Sequence, residues 1–345
     1  MKRWIPILKV LVSLGFIGLL VATVDMGELL ARARDVNIGY LLLCILFSFL
    51  MVAASTWKWW YLLRKQGHPL PYLRMYRWYF IGYFYSNFLP SNIGGDMARA
   101  WLAGRQCGSG SAALISIFAE RFTGSLVLLV LALVMPFMIG GLWSHPAVWP
   151  VMLLALVLLV GAISLLAGGQ AAARSVWLAR LAAHVRRWVR ADGPGRMAKF
   201  WERGSEKVQT LGAKAGQLRD VLRRDPHVAG VVLAQTVLFY GMTVANVLLG
   251  YRAFGAWPNA GGIAATLPLA MLVGMIPITM GNLGIAEGAY VVYFRLVGMS
   301  KELTLAMGLL LRLKIILLGV IGMFAQASTK GECRPSQPEP RGPNA

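Results

Sequence analysis

Charge is what this sequence has least of, and acid least of all. Asp and Glu supply 14 of 345 residues against 34 Lys and Arg; charged residues make up 14% of the chain and hydrophobic ones 57%. So few charges cannot cover a soluble surface, and a mean hydropathy of +0.61 places the chain in lipid. Cysteine is scarce too. Cys44, Cys107 and Cys333 are odd in number and far apart, which supports neither a disulfide framework nor a metal site. The four histidines, at 68, 145, 184 and 227, fall in loops or at the ends of apolar segments. No paired-carboxylate, zinc-spacing or nucleophile-elbow pattern accompanies them, and there is no phosphate-binding loop. Enzyme chemistry, ATP-driven pumping, metals and cofactors are therefore not expected. Ten-residue segments of alternating polarity are also missing, which argues against a transmembrane barrel.

Uncharged runs are what the chain has in quantity: 10–24, 36–57, 78–95, 122–173, 226–251, 253–286 and 315–329. A spanning helix needs about 20 residues, so the expectation is an all-α, polytopic membrane protein. The first run, within Trp4 to Val24, ends in Val-Asp-Met-Gly-Glu without a small-residue cleavage pattern and reads as a retained helix. Lys and Arg cluster before it, in a loop at 58–77 and after the last run, while the loop at 140–149 carries no charge. Both termini and the 58–77 loop are thereby expected in the cytoplasm. Trp57, Trp59, Trp60, Tyr61, Tyr76, Trp78 and Tyr79 are expected to form an interfacial belt. The region 171–226 holds 13 Lys or Arg against 5 Asp or Glu. It reads as a basic, amphipathic cytoplasmic insertion, either lying on an anionic leaflet or simply solvated. Nucleic acid is not an expected partner, because topology alone accounts for a net charge of +20.

Sidedness then constrains the stretch "SNFLPSNIGGDMARAW", residues 86–101. An odd number of crossings must separate the basic 58–77 loop from the neutral 140–149 loop, yet two apolar segments lie between them. One must turn back, and 78–95 is the candidate, since Pro90, Gly94 and Gly95 break a helix. Backbone broken at membrane depth is tolerated only against protein or a watery cavity. A second such element is "IPITMGNLGIAEGAY", 276–290. Aligned on Pro90 and Pro277, the two share a glycine four residues on (Gly94, Gly281), then an acid, Asp96 or Glu287. About six full crossings and two re-entrant elements, one in each half and oppositely oriented, predict an inverted-repeat transporter with a site near the midplane.

The candidate site follows from polar residues in apolar surroundings. Asn87 and Asn92 hold headgroup hydroxyls or satisfy broken backbone. Gly94 and Gly95 allow close backbone approach. Asp96 caps a helix expected over Met97–Gln106, with Arg99 paired one turn later, and Arg99 offers a phosphate-binding fork. Glu120 and Arg121 stand deep in the apolar segment Ala112–Met138, where ionisable groups are costly. They point about 100° apart, so Glu120 needs Arg99 or Arg312, and Arg121 needs Asp96, Glu287 or a lipid phosphate; a buried structural ion pair is the plainer alternative. Asn282 and Glu287 belong to the second broken element, where Glu287 caps the next helix or meets a cation. Arg312 and Lys314 follow on the last helix, with Arg312 the better site candidate and both long enough to snorkel.

The combination "NFLPSNIGGDMAR", "ERFTG" at 120–124 and "IPITMGNLGIAEGAY" resembles the lysylphosphatidylglycerol synthase transmembrane family over roughly residues 1–328. These flippase-like domains occur alone, fused to bacterial aminoacyl-lipid synthases, or with some glycosyltransferase systems. The resemblance implies an inner-membrane protein that moves or handles an anionic lipid, a phospholipid or a polyprenyl-phosphate-linked carrier. It also implies membrane lipids, and a glycosyltransferase or lipid-modifying enzyme, as partners. The chain departs from the aminoacyl-lipid synthases by ending at Ala345 after the tail 329–345, expected to be disordered, so making lysylphosphatidylglycerol is not expected. A membrane-embedded transferase and a non-transporting scaffold subunit are the alternatives.

Overall fold

The computed structural model describes residues 34–88, 93–166, 225–276 and 282–329, with Gly27, Gly216 and Thr279. The expected first helix, Asn92, the prolines at 90 and 277, Gly281, most of the basic 171–226 region and the tail beyond 329 lie outside the described residues. Regular structure among the described residues is helical throughout. In chain order the helices are α1 (Ile38–Lys65), α2 (Tyr72–Phe88), α3 (Ile93–Cys107) and α4 (Gly110–Val134), the last prolonged by a 3-10 turn at Met135–Met138. They continue as α5 (Trp149–Leu166), α6 (Pro226–Ala253), α7 (Ala260–Gly274), α8 (Ile285–Arg295) and α9 (Lys301–Thr329). α1, α4, α6 and α9 are long and apolar enough to cross a bilayer, and α5 and α7 are shorter apolar helices. This is a multi-pass membrane protein.

Side-chain oxygens just outside several helices capture their first N–H groups. Asn37 caps α1 and Ser109 caps α4, each accepting at 3.2 Å from Tyr40 N and Ala112 N. Asn259 accepts from Gly261 N at 2.9 Å, and Ser300 from Leu303 N at 3.3 Å ahead of α9. Inside α7, Pro268 has no N–H for the carbonyl of Ala264, four residues earlier. The Tyr240 hydroxyl of α6 donates to that carbonyl instead, at 2.5 Å, as a low-dielectric interior requires.

α1 and α6 run antiparallel along their whole length. Asn37 N donates to Ala253 O at 2.8 Å, Cys44 lies 3.4 Å from Asn246 Oδ1, Gln235 Nε2 donates to Ala54 O at 2.8 Å, and Lys65 pairs with Asp225 at 2.9 Å. As one number rises the other falls. The broken elements are two helical hairpins, α2–α3 and α7–α8. α2 lies flat against α9, where a side chain on Gly322 would collide with the Phe80 carbonyl; small residues bring membrane helices this close.

Two halves of the chain repeat this plan. Asp96 precedes its partner Arg121 by 25 residues, and Glu287 precedes its partner Arg312 by 25. One offset, 191 residues, relates the pairs (287 − 96, 312 − 121), the capping serines (300 − 109) and the starts of α4 and α9 (301 − 110). Packing repeats too: α2 meets α9 as α7 meets α4, and α1 touches α2 and α4 as α6 touches α7 and α9. Because the equivalent helices α1 and α6 are antiparallel, the repeat is inverted.

Three expectations change. α1 continues to Lys65 and α2 starts at Tyr72, so the loop is shorter than 58–77 and Lys58 is inside a helix. Trp59, Trp78 and Tyr79 are 0%, 2% and 6% exposed. They form core between α1, α2 and α3 rather than an interfacial belt, whereas Trp57 is exposed. α3 begins at Ile93, so Asp96 lies within its first turn and is not its cap.

Candidate functional site

The second helix of the first hairpin carries Asp96 and Arg99 on one side, because residues three apart share a helix face. α4 presents Glu120 and Arg121, which diverge by about 100° and reach different partners. Arg99 donates to Glu120 Oε2 at 3.1 Å and to Asp96 Oδ1 at 2.5 Å. Arg121 grips Asp96 with two bonds, Nε to Oδ2 at 2.9 Å and Nη2 to Oδ1 at 2.8 Å. The second oxygen of Glu120 accepts from the Tyr79 hydroxyl at 2.8 Å. Four charges thus make one chain, Glu120, Arg99, Asp96, Arg121, with every carboxylate oxygen engaged.

The two arginines sit in different surroundings. Arg99 is 1% exposed, and its guanidinium lies 4.1 Å from the Tyr79 ring centre and 5.0 Å from that of Trp59. It is enclosed and saturated. Arg121 keeps 57% of its side-chain surface open although it lies deep in the protein, because it faces a cavity. That cavity has a volume of about 310 Å³. α1 contributes Lys58 to its wall, α2 Tyr79 and Tyr83, α6 Gln235, Thr236 and Tyr240, and α7 Met271, followed by Met275 just past its end. Arg121 lies 11 residues beyond the start of α4, about 17 Å at 1.5 Å per residue. That is near half the thickness of a hydrocarbon core of about 30 Å.

Lys58 is a cavity residue that the sequence concealed, because its place after an apolar run and before a basic cluster reads as a loop charge. It is 5% exposed and donates to Thr236 Oγ1 at 2.6 Å and to the Glu120 carbonyl at 3.3 Å. With Lys58, Arg99 and Arg121 against Asp96 and Glu120, the cavity carries one net positive charge. One buried side-chain atom of a wall residue has no protein partner among the described residues. Gln235 spends its amide on Ala54 O, leaving Oε1 buried and unbonded, and such an acceptor needs a donor.

The remaining candidates divide between the hairpins. Gly94 and Gly95 occupy the first turn of α3, and a Cβ at Gly95 would strike the Gly82 carbonyl of α2. Asn87 donates to Ile315 O at 3.0 Å, pinning the first hairpin to α9. In the second hairpin, Glu287 both caps and pairs: it accepts from Gly284 N at 2.8 Å and from Arg312 Nε at 2.9 Å. Asn282 takes a left-handed conformation, φ 56°; its amide donates to Gly274 O, and its carbonyl accepts from Arg312 at 3.2 Å. Asn282, Glu287 and Arg312 therefore form a separate cluster and do not join the four-charge chain. Lys314, expected to snorkel, is 4% exposed and is more buried than Arg312 on the same helix.

Fold and site together define a polytopic helical membrane protein built on an inverted repeat, with a charged cavity at the tip of one broken hairpin. Residues 7–322 match the family described as lysylphosphatidylglycerol synthase TM region, and the chain belongs to that family. A "UPF0104 membrane protein" of Methanothermobacter thermautotrophicus is 22% identical over 317 residues, covering 86% of this chain and 88% of that protein. No solved structure matches the chain.

Proposed function

We propose that this protein moves an anionic lipid, a phospholipid or a polyprenyl-phosphate-linked lipid, across the bacterial cytoplasmic (inner) membrane, with both termini in the cytoplasm. The observation that carries this reading is Arg121, whose guanidinium, held on one edge by Asp96, faces a cavity from near the middle of a helix long and apolar enough to cross a bilayer, where an ionisable group is a functional candidate by default. A phosphate reaching the cavity meets the edge of the Arg121 guanidinium that Asp96 does not occupy, a charge-assisted donor, and it balances the surplus positive charge. A volume of 310 Å³ is about ten waters' worth. It accommodates a headgroup and leaves the acyl chains in the bilayer. Arg99 acts from behind, fixing Asp96 and Glu120 so that Arg121 is aimed into the cavity. In this reading an associated glycosyltransferase or lipid-modifying enzyme makes or uses the lipid.

Native mass spectrometry of the purified protein with phosphatidylglycerol, phosphatidic acid and phosphatidylethanolamine tests this reading. The anionic lipids are expected to be retained selectively, and Arg121→Ala to weaken that retention about tenfold or more, the value of a charge-assisted contact. Equal retention of all three lipids by both proteins contradicts it. Conversion of a lipid to a new product points to a transferase instead.

A further inference from the structure

A second buried cation lies outside the cavity, midway along α9. Lys314 Nζ donates to Asn246 Oδ1 of α6 at 2.6 Å and to Cys44 Sγ of α1 at 3.1 Å. The lysine is 4% exposed and Cys44 is fully buried. Among the described residues no carboxylate pairs with it. The helices packed on α9 spend their polar groups elsewhere: Glu287 of α8 on Arg312, Asn87 of α2 on Ile315 O, and Tyr85 of α2 on Gln326. Tyr251 of α6 shares a hydrogen bond with Thr304. Among the described residues, only a thiol and an amide hydrogen-bond the amine.

An ion in that setting is costly and hard to justify as structure alone, since an apolar residue would hold the helices at less expense. An amine is also a group that can be charged or neutral without leaving its place. Cys44 and Asn246 suit both forms. As an ammonium, Lys314 donates to Asn246 Oδ1 and to the sulfur. When the ammonium gives up one proton to water, the nitrogen lone pair can accept from the Cys44 S–H while a remaining N–H still donates to Asn246. The proton is the only atom that moves in or out.

The position of Lys314 gives that exchange mechanical reach. Two residues before it, Arg312 holds the second hairpin through Glu287; one residue after it, the Ile315 carbonyl holds the first hairpin through Asn87. Its own partners belong to α1 and α6, the pair about which the two halves are inverted. A charge appearing or vanishing here lies within two residues of the contacts that hold both hairpins to α9, and against α1 and α6.

We propose that Lys314, with Cys44 and Asn246, is a proton-binding site that couples lipid movement to a transmembrane proton gradient. The inference rests on the lipid-transport reading and extends it to the energy source. The test reconstitutes the full chain in vesicles holding a trace of phosphatidylglycerol with a fluorophore on an acyl chain. Its leaflet distribution is followed with an external quencher, under no gradient and under pH gradients of either sign at clamped membrane potential. In the wild type, one proton coupled per lipid gives up to about a tenfold change in the leaflet ratio for one pH unit, reversing when the gradient reverses. Lys314→Arg keeps a cation able to reach Asn246 but cannot release its proton; Lys314→Met removes the group. Both are expected to move lipid without a gradient and to ignore the gradient. A wild type that moves lipid but is indifferent to the gradient, or a Lys314→Arg protein that still follows it, overturns the proton site and leaves the transport reading standing. A wild type that moves no lipid under any condition overturns both.

Discussion

Arg99 and Arg121 bind the same carboxylate, yet they answer to different demands. Removing Arg99 leaves the Glu120 carboxylate buried with only the Tyr79 hydroxyl, so Arg99→Ala is expected to cost about 3 kcal/mol or more of stability. Arg121 faces the cavity, and Arg121→Ala is expected to cost about 1 kcal/mol or less while weakening selective lipid retention about tenfold or more. Thermal unfolding in detergent beside the lipid-retention assay separates the two, and equal destabilisation by both changes would refute the division of labour. Asp96 is a related case. As a cap it would tolerate Asn, but here both of its oxygens hold arginines. Asp96→Asn is therefore expected to weaken lipid retention nearly as much as Arg121→Ala does. The sequence made these four residues legible because charges inside apolar runs are conspicuous. It hid Lys58 and the deeper burial of Lys314 relative to Arg312, because burial depends on where a helix ends and what packs on it.

Helix pairs follow backbone accounting that no propensity scale contains. Pro268 leaves the Ala264 carbonyl without its helical donor, and Tyr240 replaces that donor from another helix. Tyr240→Phe is expected to cost about 1 kcal/mol by leaving the carbonyl unsatisfied. In a Pro268→Ala background the new N–H restores the helical bond, and the penalty of Tyr240→Phe is expected to shrink. A double-mutant cycle by thermal unfolding reads the coupling directly; additive costs would mean the hydroxyl is not compensating for the proline. At the α2–α9 crossing, Gly322→Ala forces a methyl group onto the Phe80 carbonyl and is expected to cost about 2 kcal/mol. Composition and breaker residues were enough to locate both hairpins. The helix contacts were not legible, since glycines and aromatics near position 80 look alike whether they face lipid or a neighbouring helix.

The inverted repeat was legible only in outline. Aligning Pro90 with Pro277 picks the right pair of elements but gives an offset of 187, whereas the starts of α1 and α6 and of α2 and α7 repeat at 188 (226 − 38, 260 − 72) and the ion pairs, the capping serines and the starts of α4 and α9 at 191. Sidedness gives the repeat its meaning in a membrane. In a protein freed of its own cysteines, Ser144→Cys, between α4 and α5, is expected to react with an impermeant thiol reagent outside intact cells. Ser205→Cys, in the basic region, is expected to react only after the cells are opened; outside labelling at 205 would reverse the orientation. Lipid movement in vesicles containing only this protein tests the central claim most directly. The account predicts that the wild type redistributes fluorescent phosphatidylglycerol between leaflets far faster than protein-free vesicles, and that folded Arg121→Ala does not. If folded Arg121→Ala moves anionic lipids at the wild-type rate, the cavity is not the path of the headgroup and the account is wrong.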